Sequence, residues 1–182
     1  MAKSTISDPY RLPRNVIPSA YQLRLVPDLE AARFTGTETV SLEIHEATDT
    51  ISCNALELTI SSASLRLKSG ETIKAEIALD AASERANFMF SEPLQPGLVE
   101  LDLSFAGILN DQLCGFYRST YTDSAGKERI IATSQMEATD ARKAFPCWDE
   151  PDMKASFTVS LVVPAGNQGY SNAAEVSSRE LD

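Results

Sequence analysis

In the stretch Phe34 to Ile44, FTGTETVSLEI, apolar side chains fall at the even positions Phe34, Val40, Leu42 and Ile44. Thr35, Thr37, Thr39, Ser41 and Glu43 take the odd ones. A strand turns successive side chains to opposite faces, so this alternation predicts a half-buried antiparallel strand. The same period recurs at Tyr21, Leu23 and Leu25, at Leu56, Leu58 and Ile60, at Val99 through Phe105, and at Phe157, Val159, Leu161 and Val163. Turn signals separate the runs: KSGE at Lys68 to Glu71, QPG at Gln95 to Gly97, and DSAGK at Asp123 to Lys127. With no internal repeat and no low-complexity tract, the pattern predicts an all-β chain built as an antiparallel sandwich or two packed sheets. Only ATDARKAF has a helical bias, with Thr139 or Asp140 placed to cap one short helix, Thr139 to Ala144, that Pro146 ends. A strand expected over Arg129 to Gln135 leads into it.

Composition narrows the function classes. At 182 residues and 43% hydrophobic, the chain can bury the core of one ordinary domain. It carries 26 acidic against 16 basic residues, a net charge of -10, without a run of Lys or Arg to displace counterions from a phosphate backbone. Nucleic acid is therefore not an expected partner. No stretch has the apolar length to cross a bilayer, and MAKSTISDPYRLPRN lacks the apolar centre of a secretory signal. A cytoplasmic protein without membrane contact is expected. Cys53, Cys114 and Cys147 are odd in number and far apart, which fits reduced thiols. The single histidine, His45, reads as a strand-end surface residue, and without a Cys-x-x-Cys pair no metal site is expected within the chain.

One segment departs from plain strand and turn. TSQMEATDARKAFPCWDEP, Thr133 to Pro151, gathers two carboxylates on either side of an Arg-Lys pair, two prolines, a cysteine and the sole tryptophan. If the chain stays extended through Glu137, Gln135 and Glu137 project to one side, an amide oxygen and a carboxylate suited to a compact cation such as a peptide's terminal ammonium. Asp140, Arg142, Lys143, Asp149 and Glu150 equally suit a local network of ion pairs and caps. Phe145, Cys147 and Trp148 suit a small core that pins the loop. The residue types alone leave a site and a structural junction both open.

The string QMEATDARKAFPCWDEPDMKASFTVSLVVP resembles the N-domain segment of the gluzincin zinc aminopeptidases, nearest the puromycin-sensitive type. LPRNVIPSAYQLRLVPDL resembles that family's entry strand, and LNDQLCGFYRSTYTDSAGKERIIATSQMEATDARKAFPCWDEP its central signature. The resemblance implies a saddle-like N-terminal β-domain beside a thermolysin-like catalytic domain, with Gln135 and Glu137 binding the substrate's free α-amine. It also implies zinc in the intact enzyme, which would remove residues one at a time from peptide N-termini. The H-E-x-x-H motif and the Gly-x-Met-Glu-Asn loop of that family do not occur in these 182 residues. Residues 1–182 are thus expected to be an N-terminal β-domain ending before its last strands, with the catalytic zinc domain absent, no zinc bound and no activity alone. An unfilled sheet edge would then favour self-association.

Two other functions compete. A non-catalytic relative could use the same β-sandwich as a protein-interaction scaffold, although a scaffold has no use for an ammonium clamp. A bifunctional relative that also opens a lipid epoxide is the third, and FPCWDEP resembles the plain peptidase branch more closely.

Overall fold

The computed structural model describes residues 11–181. The secretory-signal reading rests largely on residues 1–10, which lie outside the described residues. Eleven strands follow in order: β1 Val16–Asp28, β2 Arg33–Ile44, β3 Thr48–Asn54, β4 Thr59–Leu67, β5 Thr72–Lys74, β6 Glu76–Asp80, β7 Arg85–Leu94, β8 Gly97–Ile108, β9 Gly115–Thr122, β10 Glu128–Gln135 and β11 Ser156–Leu161. They form a six-stranded sheet in the order β11-β1-β2-β8-β4-β5, a three-stranded sheet β3-β7-β6, and the hairpin β9-β10. All pairings are antiparallel except that of β11 with β1, so the large sheet is mixed.

Alternation sets which face is buried. Tyr21, Leu23 and Leu25 of β1, Phe34, Val40, Leu42 and Ile44 of β2, and Leu101, Leu103 and Phe105 of β8 all face inward. Ile51 and Cys53 of β3 and Ala86, Phe88 and Phe90 of β7 join them in one core. A buried side chain of the size of Ile51 or Phe88 contributes about 1.5–3 kcal/mol by leaving water. Two glycines make room for aromatic rings across the β2–β8 ladder. Gly36 lies opposite Phe105, and Phe34 opposite Gly107. A Cβ on Gly36 would stand 2.3 Å from the Phe105 ring, and one on Gly107 2.4 Å from the Phe34 ring.

Three sequence expectations need correction. Leu56 and Leu58 are not in a strand; only Ile60 of that run is, in β4. The backbone there bonds to distant loops instead, Leu56 N–H donating to Arg142 O at 2.9 Å, and Glu57 turns left-handed at φ 59°. The short helix is a single 3-10 turn, Ala141–Lys143, and Asp140 makes no side-chain cap bond. Phe157, Val159 and Leu161 keep the alternation in β11 but are 52%, 51% and 40% exposed. They stand in register beside Tyr21, Leu23 and Leu25, at the sheet edge. β3, β5, β6, β7 and β9 were not anticipated, although Ala86, Phe88 and Phe90 of β7 carry the same period.

Candidate functional site

β10 ends at Gln135, and a turn starts at Glu137. The extended geometry expected through Glu137 therefore stops two residues short. What links the pair is local: the Glu137 N–H donates to Gln135 Oε1 at 3.3 Å. Both residues are exposed, and the Glu137 carboxylate makes no hydrogen bond or ion pair among the described residues. The peptide from Glu137 to Ala138 is cis.

The ground beneath this strand end is rigidly built. Gln135 pairs in register with Gly115 at the foot of the hairpin. Gly115 has φ +67°, and a Cβ there would meet Lys143 Cβ at 2.8 Å and Asp140 O at 3.2 Å, so the 3-10 turn lies against the bare backbone. Asp140 N–H donates to Met136 O at 3.0 Å, closing the turn that carries Glu137. Lys143 Nζ reaches both Asp140 Oδ1 at 3.3 Å and Cys114 Sγ at 3.4 Å.

Arg142 moors the turn to the body. Its Nε donates to Asp149 at 2.9 Å and its NH1 to Glu84 at 2.8 Å, with the guanidinium side chain only 12% exposed. The two carboxylates hold this guanidinium above its ordinary pKa against the opposing effect of burial. Beyond it, Phe145, Pro146, Cys147 and Trp148 are buried. Cys147 pairs with Asn54 at the end of β3 through reciprocal backbone bonds of 2.7 and 2.9 Å. Tyr21, Phe145 and Phe157 form a ring cluster, Tyr21 and Phe157 stacked with centroids 4.6 Å apart.

Most of the acidic residues in the segment are thus structural. Glu150, whose residue type suited a local ion-pair network, instead pairs with distant residues: its side chain is only 7% exposed and meets Arg11 at 2.9 Å and Arg14 at 3.1 Å. Its Oε1 also accepts the Leu12 N–H. The entry segment and the signature loop are thereby tied together across the chain. Asp152, held by Arg14 at 2.8 Å, has its carboxyl lowered chiefly by that hydrogen bond. Glu84, Asn54, Arg11 and Arg14 escaped sequence reading because each acts on a partner at least 58 residues away or, for Asn54, through backbone pairing.

Other features fit no site. His45 is exposed, its Nδ1 4.0 Å from Glu43, and its N–H donates to Asn15 O. Burial pushes the Cys53 and Cys147 thiols well above their ordinary range. Among the described residues no three His, Cys, Asp or Glu side chains are grouped to hold a metal. One shallow surface groove runs over the polar face of the large sheet, past Gln22, Thr37, Thr39, Ser62 and Asp102; a second lies beside Glu84 and Arg142. Neither includes Gln135 or Glu137. No helix of the described residues is long and apolar enough to cross a membrane.

Comparison with known proteins gives the lineage. Residues 17–182 match the family described as the peptidase M1 N-terminal domain. The chain is similar to Aminopeptidase M1 of Arabidopsis thaliana, 42% identical over 89% of this chain and 19% of that protein. It is similar to the puromycin-sensitive aminopeptidase of Caenorhabditis elegans, 40% identical over 92% of this chain and 18% of that protein. It is also similar to Aminopeptidase 2, mitochondrial, of Saccharomyces cerevisiae, 41% identical over 83% and 16%. The chain therefore spans about a fifth of the length of these relatives. On a family match over almost its whole length, agreeing with the all-β architecture and with the QMEATDARKAFPCWDEP segment, the chain belongs to the peptidase M1 N-terminal domain family.

Proposed function

We propose that this domain anchors the substrate of a zinc-dependent aminopeptidase, with Gln135 and Glu137 receiving the free α-ammonium of a peptide. The observation that carries the reading is the exposed, unpaired carboxylate of Glu137, set on a turn whose other charged side chains, Asp140, Arg142 and Lys143, are already paired. A carboxylate left out of such a network is available to an outside cation. The relatives' names as aminopeptidases support the same reading. Metal chemistry in the intact enzyme belongs to zinc held outside these residues. This chain's part is to fix the amine, so that the first peptide bond is the one presented to the reacting groups. The whole protein is read as cytoplasmic. The test is whether a Glu137 variant of the intact enzyme still distinguishes free from acetylated N-termini.

The 182-residue chain by itself is expected to bind no stoichiometric zinc and to hydrolyse no aminoacyl reporter. Elemental analysis with a fluorogenic assay checks this; zinc at one equivalent with chelator-sensitive turnover would refute it.

Beyond its peptide substrate and the catalytic domain, a second copy of the chain is the proposed partner of β11. That edge strand is paired on one side only and exposes Phe157, Val159 and Leu161. Sedimentation velocity should show association that rises with concentration and falls in Val159→Lys. A strict monomer at high concentration would remove the proposal.

A further inference from the structure

The alternation of β2 contains one violation. Position 38 faces inward between Gly36 and Val40, yet it is glutamate, and Glu38 is only 3% exposed. Its ladder neighbours are Leu23 of β1 and Leu103 of β8. Neither carboxyl oxygen has a hydrogen-bond partner. An ionised carboxylate without partners in such surroundings is very costly, whereas the protonated acid costs only what an unpaired polar group does.

Tyr21 lies on the same inward face of β1, two residues from Leu23, the ladder partner of Glu38, and a charge on Glu38 would oppose ionisation of Tyr21, of Cys53 in β3 and of Cys147 in the signature loop. All three are themselves neutral when protonated, and none is a cation that would stabilise a carboxylate. The Tyr21 hydroxyl accepts the Trp148 N–H at 3.2 Å, and the Trp148 indole N–H is buried without a partner. The cluster thus lies where Cys147 and Asn54 join the signature loop to the sheets.

We propose that Glu38 is an interior acid kept protonated at neutral pH, and that its ionisation loosens the mooring of the 145–149 loop: a pH-sensitive element beneath the candidate site. This does not depend on the role given to Glu137. Desolvation raises the Glu38 carboxyl well above its ordinary range. The sign follows from proton linkage. Above the ordinary glutamate value of about 4.5 the folded chain holds a proton that the unfolded chain has released, so stability from this group is greatest in mild acid and falls as pH rises. Asp80, Asp123 and Asp152 are held below their ordinary value and act the opposite way, at pH values below this window. Tyr21, Cys53 and Cys147 are all raised and titrate above it.

The experiment compares the 182-residue chain with Glu38→Gln, which keeps the shape and removes the titration. Between pH 5 and pH 8 the unfolding equilibrium constant of the parent should grow relative to the variant by up to about tenfold per pH unit. Infrared spectroscopy of the parent at pH 7 should show a protonated carboxyl stretch that glutamate isotope labelling shifts, a measurement that does not require the variant to fold. Acrylamide quenching of the sole tryptophan, Trp148, should rise with pH in the parent and stay flat in Glu38→Gln. Absence of the labelled carboxyl band at pH 7 would overturn the protonated state. A pH-independent stability difference, or quenching that rises equally in both proteins, would overturn the coupling to the loop.

Discussion

Replacing Glu137 by alanine in the intact enzyme should lower kcat/KM on peptides with a free N-terminus by about thirtyfold to several thousandfold. That range corresponds to the ~2–5 kcal/mol lost when one partner of a desolvated, hydrogen-bonded charge pair is removed. In the 182-residue chain Glu137 is exposed, so the size of the effect depends on closure of the cleft by the rest of the enzyme, which removes solvent screening. Gln135→Ala should cost less, about 0.5–1.5 kcal/mol, because a neutral acceptor is lost. The control must be chosen with care. Glu150 is unsuitable: its pairing with Arg11 and Arg14 makes its removal a structural lesion. Glu128, exposed at the start of the same strand, is the proper comparison, and Glu128→Ala should leave kcat/KM within about twofold, since exposed charges contribute little. The Glu137 variant should also lose preference for free over acetylated N-termini. If both its efficiency and that preference match the parent, Glu137 has no part in binding the amine.

Arg142→Ala should lower the stability of the domain by about 3 kcal/mol, because it strips the common partner from two carboxylates of which Asp149 is largely buried. For a chain of this length that is a fall of roughly 6–12 °C in Tm. Arg129→Ala breaks an ion pair of similar length, 2.8 Å, but from a side chain 50% exposed, and should cost no more than about 1 kcal/mol. Arg142→Lys should recover only part of the loss, since a point ammonium cannot span Asp149 and Glu84 as a planar fork does. Thermal unfolding of the three variants checks the ranking. Equal losses for Arg142→Ala and Arg129→Ala would show that the guanidinium is not the mooring of the turn.

Much of the architecture was legible because period two is a local signal. β1, β2, β8 and β10 could be placed from the spacing of Tyr21 to Leu25, Phe34 to Ile44, Val99 to Phe105 and Arg129 to Gln135. Where the period misled, at Leu56 and Leu58, the chain runs as a loop that packs onto the core through Ala55 and Leu58, with its backbone bonded to Glu84 and Arg142. The helix over Thr139 to Ala144 shrank to one 3-10 turn because Pro146 and the pairing of Cys147 with Asn54 leave no room for a second turn.

By itself, then, the sequence determined the class of fold, the inward face of the main strands, the unusual segment after β10 and, through its motifs, the family. Those properties depend on neighbours in the chain, on the pleat and on turn chemistry. Only the tertiary structure decided which charges in that segment are free. Glu137 and Glu150 are both acids on a loop, yet one is unpaired and the other is clamped by two arginines that lie 136 or more residues earlier. Likewise the alternation places Glu38 on the inward face of β2, but only the closed sheets show that it is buried there without a hydrogen-bond partner. Charge pairing and burial are set by contacts between distant segments, and the energies of such contacts depend on solvent access that no local pattern records.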